Sequence, residues 1–77
     1  MSGGSVTAYS PALATRLDQA DANTLYIGKA QPGTLDSADA WQIRKMITTG
    51  GVTQFLWANG SAEFKANWSN RASLSYS

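Results

Sequence analysis

Neither cysteine nor histidine occurs among the 77 residues of this chain. Without cysteine there is no disulfide and no thiolate metal site, and without histidine zinc could be held only by carboxylates, an uncommon donor set. The same absences remove the commonest general base and the nucleophile pairs that depend on it. Charge is scarce as well. Six basic and five acidic residues leave a formal net charge of +1, too little to form an electrostatic footprint for a phosphate backbone or an anionic lipid surface. No apolar run approaches the ~20 residues of a membrane-spanning helix, and the opening Met1-Ser2-Gly3-Gly4-Ser5 lacks the basic and apolar regions of a secretory signal. These absences predict a soluble, non-enzymatic chain with no catalytic residue, cofactor or metal, not exported by the usual route, that binds neither nucleic acid nor membrane. A chain this short forms one domain and buries only about 60% of the surface it exposes when unfolded. A partner is then the natural source of further stability.

What aromatic content there is falls unevenly. The first 23 residues hold one aromatic, Tyr9, and all three tryptophans lie beyond them. Residues 1–23 therefore read as an N-terminal arm and residues 24–77 as a small β domain. Residues 2–10 are polar and small, with Val6 and Tyr9 the only large apolar groups, and cannot offset their own conformational entropy. After Pro11, Leu13 and Leu17 stand four apart, a spacing that suits a short helical turn, although an extended arm is equally open. From Thr24 the chain turns β in character. Thr24-Leu25-Tyr26-Ile27 reads as a short strand stopped by Gly28, and Gln31-Pro32-Gly33-Thr34 as a turn. Residues 41–48 place Trp41, Ile43, Lys45 and Ile47 on one face of a strand. Gly50-Gly51 supplies a hairpin turn, residues 52–58 return as its partner, and Asn59-Gly60 ends that strand. Phe64 and Trp68, four apart, predict a helical turn over residues 62–68, and the alternation across residues 71–76 predicts a last, half-buried strand. The predicted fold is all-β: a small antiparallel domain of about four strands and one helical turn, with an extended N-terminal arm.

Motifs that carry chemistry are weak. Gly28-Lys29 lacks the following hydroxyl residue and the preceding glycine of a phosphate loop. Asp36 and Asp39, with Asp18 and Asp21 upstream, fit no calcium-loop spacing and read as solvated loop carboxylates rather than a hydrolytic pair. Asn59-Gly60-Ser61 and Asn67-Trp68-Ser69 match a glycosylation acceptor but read as turn chemistry. The tryptophans could present a sugar-binding or peptide-binding face. Core or subunit contact is the stronger reading for a domain this small, with Trp57 and Trp68 as the expected core pair and Trp41 as the expected interface residue.

Tyr26-Ile27-Gly28-Lys29-Ala30, Trp41-Gln42-Ile43-Arg44-Lys45, Trp57-Ala58-Asn59-Gly60, Phe64 and the stretch from Trp68-Ser69-Asn70-Arg71 through Ala72-Ser73-Leu74-Ser75-Tyr76 occur in that order. Across residues 24–77 this pattern resembles a family of small proteins encoded among the virion genes of tailed bacteriophages. The resemblance implies a structural virion component without enzymatic activity. It carries over no catalytic or ligand-binding residue. Residues 1–23 fall outside it.

Arm, aromatics and strand edges together point to assembly. The expected protein is a virion subunit, a head decoration or a tail or neck accessory, that docks onto other copies of itself and onto larger virion proteins. Val6, Tyr9, Leu13 and Leu17 are the expected arm contacts and Trp41 the expected inter-subunit patch. The alternative is a carbohydrate-binding adhesion module that uses exposed tryptophans.

Overall fold

Residues 12–77 are described in a computed structural model of the chain. They form an antiparallel sheet in which β1 (Ala14–Asp21), β2 (Thr24–Ala30), β3 (Asp39–Thr49) and β4 (Val52–Trp57) lie in sequence order. A two-residue β5 (Ala66–Asn67) pairs with the start of β3, and a 3-10 helix (Trp68–Ser73) follows it. The all-β antiparallel class expected from the sequence is the class of the fold.

Turn chemistry sets the register. Gly50 and Gly51 both adopt positive φ, +58° and +81°, the left-handed pair that a two-residue hairpin needs to match strand twist. The hairpin therefore pairs Thr49 with Val52, and by continuation Lys45 with Leu56 and Arg44 with Trp57. The Pro32-Gly33 turn closes through a Thr34 N–H to Gln31 carbonyl bond of 3.1 Å, and Asn59-Gly60 turns the chain out of β4 at φ +55° and +66°.

Four expectations about the backbone need correction. Gly28 does not stop its strand: β2 runs through it to Ala30, because the missing side chain leaves the space that a tryptophan ring fills. Leu13 and Leu17 do not share a helical turn. Residues 14–21 of the stretch read as an arm are β1, paired along its length with β2 and closed by a turn in which Asp21 accepts from the Asn23 N–H at 2.8 Å. Residues 62–68 are not helical either. β4 covers β3 only over Arg44–Thr49, so the first residues of β3 present an unpaired edge, and Ala66–Asn67 takes it up as β5. This sends Trp68 inward and leaves Phe64 exposed. Finally, residues 71–76 are not a strand throughout. The 3-10 helix holds the chain as far as Ser73, and only residues 75–77 run extended, exchanging Trp57–Ser77 backbone bonds of 2.9 and 3.1 Å and bridging Ala58 to Tyr76.

The core lies on the face of the sheet crossed by these last residues. In β2 every second side chain from Thr24 to Ala30 is buried, and across the sheet Trp41 and Ile43 are fully buried. Trp68 stacks on Trp41 with ring centroids 5.9 Å apart. A Cβ on Gly28 would lie 2.6 Å from the Trp68 ring. Tyr76 extends the same layer, its ring 5.7 Å from that of Tyr26. Trp41 is thus a core residue and not an inter-subunit patch, and the partner of Trp68 is Trp41 rather than Trp57. Trp57 pairs with Arg44, whose side chain alternates to the opposite face.

Two substitutions test this packing. Gly28→Ala forces either the indole or the strand to move and should destabilise the fold by about 1–3 kcal/mol. Trp68→Ala should remove about 3–5 kcal/mol, comparable to the whole stability of a small domain. Urea unfolding followed by tryptophan fluorescence reads the first, and circular dichroism in the absence of urea reads the second; a Gly28→Ala midpoint equal to wild type would contradict the packing.

Candidate functional site

Strand alternation divides the side chains into two faces with different surroundings. On the covered face Asp18, Tyr26, Gly28, Trp41, Ile43 and Lys45 lie under the 3-10 helix and residues 74–77. Arg71 clamps this cover. Its Nε donates to Asp18 Oδ2 at 2.9 Å, its guanidinium lies 4.5 Å from the Trp68 ring, and its carbonyl accepts the Tyr76 hydroxyl at 2.8 Å. Asn67 caps the helix, accepting from the Ser69 N–H at 2.9 Å and donating to the Ser37 carbonyl at 2.8 Å. The Trp41 indole N–H donates to the Leu35 carbonyl at 2.9 Å, which ties the same loop to the core. Burial, reinforced by the neighbouring Tyr26 and opposed by Arg71, pushes the Tyr76 hydroxyl up to about 12.

The other face has no such cover among the described residues. The register aligns Leu17, Ile27, Arg44 and Trp57 in one row across the four strands and Gln19, Leu25, Met46 and Phe55 in the next. Leu17 is 67% and Phe55 54% exposed, while Leu25, Ile27, Met46 and Trp57 are half-buried. The Arg44 guanidinium sits in the middle of this surface, 5.2 Å from the Phe55 ring and 5.5 Å from the Trp57 ring, an arrangement that holds a cation over apolar surface without a carboxylate. Thr48 and Thr53 close one end with a hydroxyl pair 3.0 Å apart. The outer edge of β1 is unpaired among the described residues. Contiguous apolar surface of this kind marks a protein contact more often than a small-molecule site.

The residues singled out from the sequence scatter with respect to this surface. Val6 and Tyr9 lie outside the described residues. Leu13 is exposed just before β1, Leu17 belongs to the open face, and Trp41 is buried behind it. Asp36 pairs with Arg16 at 3.4 Å, and Asp39 opens β3 opposite Asn67. No group of three or more acidic residues that could hold a metal occurs among the described residues, and no helix there is long and apolar enough to cross a membrane. Leu25, Ile27, Arg44, Met46, Phe55 and Trp57 were missed as a surface. The Gly50-Gly51 turn was the signal that could have found them, because it dictates which residues of β4 share a face with Arg44. No family model, curated protein or solved structure matches the chain.

The clamp has a pH signature. The Tyr76 hydroxyl ionises near 10 in an unfolded chain and near 12 in the folded one, so its contribution to stability is complete below pH 10 and is lost as the pH rises toward about 12. The urea midpoint should fall across that window, and less so in Tyr76→Phe; identical slopes in the two proteins would show that Tyr76 does not carry the effect.

Proposed function

We propose that the chain is a non-enzymatic structural subunit of a tailed-bacteriophage virion, a head decoration or a tail or neck accessory, acting through protein–protein assembly with larger virion proteins and with further copies of itself. The observation that carries this reading is the open apolar face, where a domain with little core to spare keeps Leu17, Leu25, Ile27, Met46, Phe55 and Trp57 on one side of a sheet that its own described residues leave uncovered. Exposing such a surface costs a free subunit solubility and stability, and a partner reverses that cost.

The stretches that resemble the virion family supply most of the covered side: Tyr26, Gly28 and Ala30 from the first, Trp41 and Ile43 from the second, Trp68, Arg71, Leu74 and Tyr76 from the last. These residues are the grammar of the fold. Trp57, from the Trp57-Ala58-Asn59-Gly60 stretch, is the tryptophan that the core does not use, and it lies on the face available for assembly. The carbohydrate alternative is left with this one ring, since Trp41 and Trp68 are buried, and Trp57 is flanked by Arg44 and Phe55 rather than by the amides and carboxylates that orient a sugar.

Antibody to the chain should label purified, nuclease-treated particles of the phage that encodes it, and a phage producing Phe55→Asp should yield particles depleted of it while the variant accumulates folded in the lysate. Particles that lack the wild-type chain would refute the virion assignment.

A further inference from the structure

The open face is not self-complementary, and that property selects its occupant. Over the regularly paired residues 15–19, 25–29, 42–48 and 53–57 its side chains include two cations, Lys29 and Arg44, and no carboxylate; Asp18 points to the covered side, where Arg71 holds it, and Asp21 lies past the register shift at the end of β1. Arg44 is central, over Phe55 and Trp57. If two copies met face to face, each would bring an arginine into the apolar contact and neither would bring an anion, wherever the twofold axis fell. A guanidinium taken out of water without a counter-charge is strongly disfavoured. The dimensions point the same way. Four strands spaced about 4.8 Å apart, over six residues rising about 3.3 Å each, give a footprint on the order of 15 by 20 Å, a smaller patch than the roughly 20–30 residues that each member of a stable pair contributes. A second copy is no larger than the first, whereas a bigger protein can continue past the rim and along the edge of β1 that the described residues leave unpaired.

We infer that this face takes a foreign protein surface in which apolar side chains surround an aspartate or glutamate that pairs with Arg44. The inference rests on the assembly reading above and sharpens it: any contact between copies of this chain uses another surface. In the complex Arg44 becomes a buried, charge-assisted pair that sets orientation, while Phe55, Trp57, Ile27 and Leu25 supply the apolar burial.

The test uses the full chain, followed by sedimentation velocity alone and by co-sedimentation with particles produced by a phage deleted for it. Phe55→Asp and Arg44→Leu are compared with wild type after circular dichroism shows all three folded. The inference expects the self-association state of wild type to be unchanged by Phe55→Asp, and uptake onto particles to fall more than about tenfold in both variants. Arg44→Leu is the discriminating variant. It keeps the face apolar, so it weakens pairing with an acidic partner but strengthens pairing with a second copy. Wild-type oligomers that Phe55→Asp dissolves would make a second copy the occupant and overturn the inference. Uptake that rises in a Val6→Ser, Tyr9→Ser double variant would make the chain's own first residues the occupant, with the same result. If wild type and Arg44→Leu enter particles equally well, the acidic partner is wrong and the virion assignment stands; if wild type enters none, both fall.

Discussion

A single sheet cannot bury a face against itself, and in this chain the ring of Trp68 laid on the bare backbone of Gly28 supplies the missing layer. The contact needs two unlike residues at once. Glycine is unfavourable within a strand, where it packs nothing and loses the most conformational entropy, but any Cβ here would lie 2.6 Å from the indole. Trp68 in turn brings the 3-10 helix with it. From that anchor Arg71 reaches Asp18 on β1, Tyr76 reaches Tyr26 on β2, and residues 75–77 pair with the end of β4. With Trp41 of β3 under Trp68 itself, all four long strands are tied to one short terminal segment. The chain compensates for its small size with a lid of aromatic rings in place of the disulfides that similarly small domains use.

Much of this was legible before the structure, and what was not has an identifiable cause. The β3–β4 hairpin followed from Gly50-Gly51 and the aromatic, β-branched residues after it, since local turn geometry decides such pairings. Gly28 was misread because glycine carries two meanings, strand end or close approach, and only the position of Trp68, forty residues away in sequence, distinguishes them. The Phe64–Trp68 spacing suggested a helix because local periodicity says nothing about the open edge of β3, whose unpaired backbone groups made extended structure the better state for Ala66–Asn67. β1 was obscured in the same way: Leu17 and Asp18 show little alternating hydrophobicity, and the strand exists through its pairing with β2.

The choice of core tryptophan illustrates how register converts one local fact into a global one. Once Thr49 opposes Val52, Trp57 must oppose Arg44, and parity alone places it on the face away from Trp41 and Ile43. The expected Trp57–Trp68 pair fails because Trp68 packs on the Trp41 side of the sheet while the hairpin puts Trp57 on the other. The consequence extends to function, because that parity assigns Trp41 to the interior and leaves Trp57, with Phe55 and Arg44, as the chemistry the molecule presents outward.

The two faces also divide the charge in a way that bears on assembly. On the covered side, Asp18–Arg71 and Arg16–Asp36 are matched pairs, and Lys45 lies over the rings of Tyr26 and Tyr76. On the open side Arg44 and Lys29 have aromatic or amide neighbours but no anion. A subunit whose open face were meant for its own copy would be expected to carry both signs on it, so that a twofold axis could match them. One that carries a single sign amid apolar residues is complementary only to something else. In the assembly proposed above the arginine would act twice: its desolvation opposes sheet-on-sheet pairing between free copies, and its charge favours a partner that brings a carboxylate.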